Sequence, residues 1–365
     1  MEVEKRATTK GAAPPAAQAP EDKQEVLDHE RSRPATTPSV SGGGRIRSLL
    51  LSKETGITVL LALLCVIVTV TGHGVFLNPF NLQDMANLIG MFGIFSIGAG
   101  IVIITAGIDL TVGSMIALLG VLLAMMLTDW HWPWPLALVA ILASGALLGA
   151  IHGLLVTRLR LQPFIVTLCG LLLYRGAARF IAQDETQGFG NATGFSKLQA
   201  AATCNLWGVP VSFVLLLIIA VIGGIALHRS VYGRYLYAVG RNEEAARYSG
   251  INTRRVITMA YVVAALLTAM SAVLFAFYTN SISPSTHGTF YELYGIAAAV
   301  LGGCSLRGGE GSIFGIVIGT ALLQVLQNLV NLLSIPSSLN FAVMGAVILI
   351  GVTADQLLRS KRRAV

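Results

Sequence analysis

Few side chains in this sequence could do chemistry, and most of them sit inside or beside long apolar runs. Asp109 lies in Gly107-Ile108-Asp109-Leu110-Thr111-Val112-Gly113-Ser114, close to the end of one such run. A carboxylate at the centre of a bilayer costs roughly 2.5–3.5 kcal/mol, so it must be paired, face water or cap a helix. Capping through Asp109 or Thr111 and a role in a solute pathway or gate stand as equal readings. Arg175 and Arg179 are one helical turn apart; they could line a water-filled route, but snorkelling to an interface is the preferred reading. Gln324, Gln327, Asn328 and Asn331 fall at i, i+3, i+4 and i+7. Such an amide stripe suits hydroxyl-rich solutes and helix–helix hydrogen bonds equally. Glu292 opens a short apolar run, where the helix dipole favours an acid. There is no Gly-x4-Gly-Lys-Ser/Thr phosphate loop, and the Gly-rich stretch from Arg307 to Gly311 lacks the lysine. The chain is therefore not expected to hydrolyse ATP. Its histidines and its cysteines (Cys65, Cys169, Cys204 and Cys304) show neither metal-ligand nor disulfide spacing.

These residues must be positioned by membrane-spanning helices. The 365-residue chain is 54% hydrophobic and only 12% charged, against roughly 25% charged in soluble domains. Several apolar runs approach or exceed the ~20 residues that cross a bilayer. The net charge of +7 does not indicate nucleic-acid binding, because Lys and Arg flank the runs instead of forming one patch. Basic residues before Ile57, after Val156, between residues 229 and 255, and after Leu358 mark the cytoplasmic side. The alternation predicts an all-α polytopic membrane protein with about ten spans and both termini in the cytoplasm. The spans are expected near 57–72, 85–106, 114–128, 136–156, 164–181, 211–227, 256–278, 293–301, 313–333 and 339–358. Three tryptophans in the outer loop 129–135 read as an interfacial belt. Residues 1–48, with eight basic and seven acidic side chains and five prolines, read as a disordered cytoplasmic tail. Residues 49–365 form the transmembrane domain.

The longest polar loop on the predicted cytoplasmic side, residues 229–255, carries Gly240-Arg241-Asn242-Glu243-Glu244-Ala245-Ala246-Arg247-Tyr248-Ser249-Gly250-Ile251. It is expected to be a surface helix. Glu243 and Glu244 lie in its first turn, two alanines favour the helix and Gly250 stops it. Ala245, Ala246, Ser249 and Gly250 give a smooth face that a soluble partner could approach closely; an ordinary solvated loop is the plain alternative.

Glu244-Ala245-Ala246, three residues and then Gly250 resembles the start of the loop by which ABC importer permeases engage their ATPase. The Ile-x-Leu-Pro part of that loop is absent. Gly233 to Asn242, Ser249 to Asn252, Gly107 to Ser114, Tyr291-Glu292-Leu293 and Ala297 to Gly303 with Ser305-Leu306 resemble the ribose/xylose/arabinose-type permeases. The resemblance spans about residues 56–358. It implies a type II ABC importer-like permease fold in the bacterial inner membrane, with irregular second and eighth spans. It also implies a second copy of this chain as a homodimer, a cytoplasmic ATP-binding subunit carrying ATP-Mg, and a periplasmic or extracellular sugar-binding protein. No cofactor is implied in this chain, and no nucleic acid; membrane lipid is the remaining partner. Gly240, Asn242, Glu243, Glu244, Ala245, Ala246, Ser249 and Gly250 would couple to the ATPase. Asp109, Ser114, Glu292, Gln324 and Asn328 are the pathway or gating candidates. Two positions after Glu292 the family usually carries another acid, and here Tyr294 stands, which bears on which sugar is carried. The solute expected is a monosaccharide such as a pentose. A permease for a branched-chain amino acid or nucleoside, or a gradient-driven secondary carrier, are the other readings.

Overall fold

The computed structural model describes residues 53–336 apart from residues 73, 191–194 and 207, together with scattered residues from 339 to 353. The expected tail, residues 1–48, lies outside the described residues, as does most of the expected span 339–358.

The described chain is built of helices: α1 (Lys53–Thr71), α2 (Pro79–Ile104), α3 (Val112–Thr128), α4 (Trp134–Arg158), α5 (Pro163–Ile181), α6 (Phe195–Thr203), α7 (Val211–Arg229), α8 (Val231–Arg241), α9 (Glu243–Tyr248), α10 (Thr253–Thr279), α11 (Tyr291–Leu301) and α12 (Ile313–Leu332). Among the described residues α2, α4, α5, α7, α10 and α12 are long and apolar enough to cross a membrane. Residues 55–71, α3 and α11 are shorter apolar helices. Two minimal ribbons tie loops at one end of the bundle. Gln187–Gly188 (β1) pairs antiparallel with Ser281–Ile282, and Asn205–Leu206 with Val209–Pro210.

Helix starts follow local chemistry. Pro79 occupies the first position of α2, where its missing N–H costs nothing, and the Asn78 side chain accepts from Phe80 N at 3.0 Å. Prolines likewise open α4 and α5. The resemblance led us to expect an irregular second span, but α2 runs unbroken over 26 residues.

Burial separates central from peripheral helices. In the most apolar stretch of α2 89% of residues are buried, against 17% in α7, so α2 is packed on all sides and α7 lies at the periphery of the chain. α10 is the other central helix, and its tightest partner is α4. Gly145, Gly149 and Gly153 of α4 meet the backbone of α10; a Cβ on Gly149 would lie 2.5 Å from the Tyr261 carbonyl. A small residue every fourth position lets two membrane helices approach closely. Phe92, Phe95, Phe275, Tyr291 and Tyr294 join α2, α10 and α11 through edge and tilted ring contacts, such as Phe92–Tyr294 at 5.6 Å between centroids.

Two interruptions shape the interior. Between α2 and α3 the chain is neither helix nor strand over residues 107–111, and it turns at Asp109 to Thr111. α11 has only 11 residues, or ~16 Å, half of a ~30 Å hydrocarbon core. The first turns of α3 and α11 meet, because Gly113 packs directly against Gly288 and the Glu292 carboxylate.

Candidate functional site

The loop at residues 229–255 is three helices fixed by three side-chain caps. Ser230 accepts from Gly233 N (3.1 Å), Asn242 from Ala245 N (2.9 Å) and Asn252 from Arg255 N (3.1 Å). Each such cap is worth ~1 kcal/mol. The expectation of one helix across Gly240–Ile251 is corrected here. Gly240 and Arg241 end α8, and Asn242 leaves helical geometry (φ −162°, ψ 104°) to cap α9. Gly250, at φ +85°, adopts the left-handed conformation that closes α9.

The exposed face of α9 also differs from the smooth face expected. Ala246 is buried and points into the protein, because α9 must pack somewhere and Ala246 is its one small inward residue. Gly240 is buried too. Asn242 is spent on its cap, the Thr253 hydroxyl donates to Glu243 Oε1 at 3.1 Å, and the Ser249 hydroxyl donates to Ala245 O. Glu244, Ala245, Arg247, Ser249 and Gly250 remain exposed. Tyr248 protrudes furthest, at 83% exposure, with the Arg247 guanidinium 5.7 Å from its ring centre. An exposed tyrosine beside an arginine is the composition of an interface anchor. The sequence reading passed over Tyr248; its signal was a large aromatic in an otherwise small and polar helix.

α8 binds this surface to the interior. Its Gly240 packs against the Ile104 carbonyl and Gly309 N so tightly that any Cβ would collide. Gly309 N donates to Ile104 O (2.8 Å), and the Tyr237 hydroxyl donates to Gly311 O (2.7 Å). The Tyr232 hydroxyl donates to Val256 O at 3.1 Å, and burial pushes its pKa far above the ordinary phenol value, so it stays a donor. Between α8, α9, the start of α10 and the α4–α5 turn lies an open cavity of about 860 Å³, with Gly107 and Tyr261 on its wall.

Deeper in, Asp109 is almost fully buried and serves its own backbone. Its Oδ1 accepts from Thr111 N (2.9 Å) and from the Thr111 hydroxyl (2.6 Å). The Thr167 hydroxyl donates to Ile108 O (3.1 Å), and the Ser114 hydroxyl to Thr111 O (3.0 Å). Non-helical backbone at membrane depth is tolerated only where protein or trapped water satisfies it, and these side chains do that. Arg175 plays the matching part for the loop before α11, donating to Pro284 O (3.1 Å) and His287 O (2.7 Å). Arg179 instead forms an exposed two-point pair with Asp184 (2.6 and 3.1 Å), which holds that carboxyl below its usual pKa.

Residues 81–352 match the family described as branched-chain amino acid transport system / permease component. The chain belongs to this permease family. Among its relatives, the ribose import permease protein RbsC of Escherichia coli (strain K12) is 36% identical over 327 residues, covering 88% of this chain and 98% of the relative. RbsC of Bacillus subtilis (strain 168) is 38% identical over 297 residues, covering 81% and 90%. The xylose transport system permease protein XylH of Escherichia coli (strain K12) is 31% identical over 385 residues, covering 90% and 97%. No solved structure matches the chain.

Within this permease the interior site residues fall into separate places. Asp109 and Ser114 share the start of α3, and Glu292, also buried, meets it from the first turn of α11. Gln324 is buried on α12, whereas Asn328 forms a reciprocal amide pair with Asn81 of α2 (2.7 and 3.3 Å). The stripe on α12 is thus partly a helix–helix bond. Asn81 was invisible as its partner, lying 247 positions away.

Proposed function

We propose that this chain is the membrane-spanning subunit of an ATP-driven importer that moves a sugar, of pentose size, across the bacterial inner membrane. The observation that carries this reading is the match to ribose and xylose permeases over nearly their whole lengths. The family description names branched-chain amino acids, but the relatives given above by name carry the sugar assignment. Ten spans with both termini in the cytoplasm follow from the distribution of Lys and Arg. α9 then faces the cytoplasm, where an ATP-binding subunit holding ATP-Mg would dock on Glu244, Ala245, Arg247, Tyr248 and Gly250. A second copy of the permease and an external sugar-binding protein complete the assembly.

The mechanism is alternating access. Closure of the ATPases moves α9, and through α8 it moves the turns after α2 and α11. The differential contacts of the two states drive the solute step. Asp109, Ser114 and Glu292 are buried polar groups at the start of α3 and the first turn of α11, and Gln324 is buried within α12; these are the groups we assign to the solute route or gate.

The test is reconstitution in liposomes with the cognate ATPase and binding protein. Labelled pentose should accumulate only with ATP, and Glu244→Lys with Tyr248→Ala should abolish solute-stimulated ATP hydrolysis while leaving membrane insertion unchanged. Normal transport by that double variant would remove α9 as the docking element. Uptake by the permease alone, without ATP, would replace the importer by a gradient-driven carrier.

A further inference from the structure

The cavity beside α9 has a chemistry that reaches beyond the residues of the docking helix. Its wall carries Arg160, Arg241, Arg247 and Arg254 against Glu243 and Glu244. That is an excess of two positive charges, in a space large enough for several side chains. Among the described residues no carboxylate forms an ion pair with any of the four guanidiniums. Glu243 is already engaged by the Thr253 hydroxyl. On the inner wall the Tyr261 hydroxyl is buried and, among the described residues, has no hydrogen-bond partner. An unpaired buried donor is costly, and the four arginines give the cavity wall a net positive charge. A carboxylate-bearing segment matches that charge, since its acids can be gripped two-point by arginine.

We propose that this cavity receives an acidic segment of the cytoplasmic ATP-binding subunit, so that docking is reciprocal. The permease presents α9, and the ATPase inserts carboxylates beside it. This inference rests on the docking reading given above. It adds the charge of the partner's contacting segment and a second contact whose strength depends on salt. The cavity shares Glu243, Glu244 and Arg247 with α9 and Asn252 to Arg254 with the start of α10. A segment held there would therefore move together with the docking helix.

The experiment uses full-length permease in nanodiscs of zwitterionic phosphatidylcholine, titrated with the purified cognate ATPase. Arg160 and Arg254 are both exposed, so Arg160→Glu with Arg254→Glu should fold, as an unchanged thermal midpoint would verify. Affinity should fall at least tenfold in this variant, and the steep loss of wild-type affinity with added salt should flatten. Arg160→Lys with Arg254→Lys should recover most of the binding. A photo-crosslinking benzoylphenylalanine at Gln162, on the cavity wall, should label a peptide of the ATPase rich in Asp and Glu. Three results would overturn the proposal. They are unchanged affinity in the Glu variant, a crosslink to a neutral or basic peptide, and phosphatidylglycerol retained by wild type but not by the Glu variant while ATPase affinity stays equal. The last would assign the arginines to anionic lipid. Failure of the ATPase to bind wild type at all would instead defeat the docking reading itself.

Discussion

Replacing Asp109 separates a backbone-capping role from a role for its charge. Thr111 is fully buried, and its N–H and hydroxyl both end on Asp109 Oδ1. Asp109→Ala leaves that N–H without an acceptor, at ~1–3 kcal/mol, and removes a charge-assisted hydroxyl bond as well. We expect a total loss of about 2–4 kcal/mol. Asp109→Asn keeps an acceptor oxygen in the same place and gives up only the charge assistance, so its loss should be about 1 kcal/mol. Thermal unfolding of the purified protein in mild detergent, read with ATP-driven uptake in liposomes, tests both quantities. The expected order is wild type, then Asp109→Asn close behind, then Asp109→Ala well below, with uptake following stability. Asp109→Asn as unstable as Asp109→Ala would refute the capping argument. Asp109→Asn of wild-type stability but without uptake would show that the charge itself acts on the solute route or gate.

The other interior contacts make similar demands. Gly113→Ala would drive its methyl into Gly288 O and to within 2.5 Å of Glu292 Oε2, so it should destabilise by about 1–3 kcal/mol in the same unfolding assay. Arg175→Met frees Pro284 O and His287 O. Losing two charge-assisted bonds, at least ~2 kcal/mol, should speed hydrogen exchange across residues 283–290 by roughly 30-fold or more. Replacing Asn81 and Asn328 singly and together by Leu should give a coupling energy of ~0.6 kcal/mol and no more than ~1.7 kcal/mol. A coupling of zero would mean that Asn328 is free to serve the solute.

Helix ends were legible where punctuation is local. The predicted ends at Thr128, Ile181 and Leu301 are the observed ones; Asp129 and Gly302 stop the first and third directly, and Gln183 and Asp184, both at positive φ, follow one residue after the second. Starts were less legible. Pro79 and Pro163 open their helices, and the prolines could be read in advance, but the 26-residue reach of α2 comes from burial on all sides. In α9 the spacing of Ala245, Ala246, Ser249 and Gly250 suggested one smooth face, but the helix ends at Tyr248 and Ala246 turns inward; spacing alone does not say which face a six-residue helix buries. That choice is made by the tertiary wall behind Ala246. Arg175 shows the same limit. Its spacing from Arg179 suggested a shared task, yet one tethers a loop by two carbonyls and the other pairs with Asp184 in solvent. Only contacts across more than a hundred positions distinguish them.

α8 ties α9 to the turns after α2 and α11. Gly240 touches Ile104, where α2 ends, and Gly309, in the turn after α11, and those two residues are bonded to each other. The turns themselves are in contact, since Gly308 lies against Ala106. A displacement of α8 would therefore bear on both turns. Tyr237 tightens the second branch through its bond to Gly311 O. Tyr237→Phe keeps the ring and removes the bond, at a cost of ~1 kcal/mol, too little to unfold the protein. If α8 transmits motion, this variant should bind the ATPase with wild-type affinity while solute stimulation of ATP hydrolysis falls several-fold. Equal stimulation in the two proteins would mean that the close approach at Gly240 alone carries the coupling, and Gly240→Ala would then be the variant that breaks it.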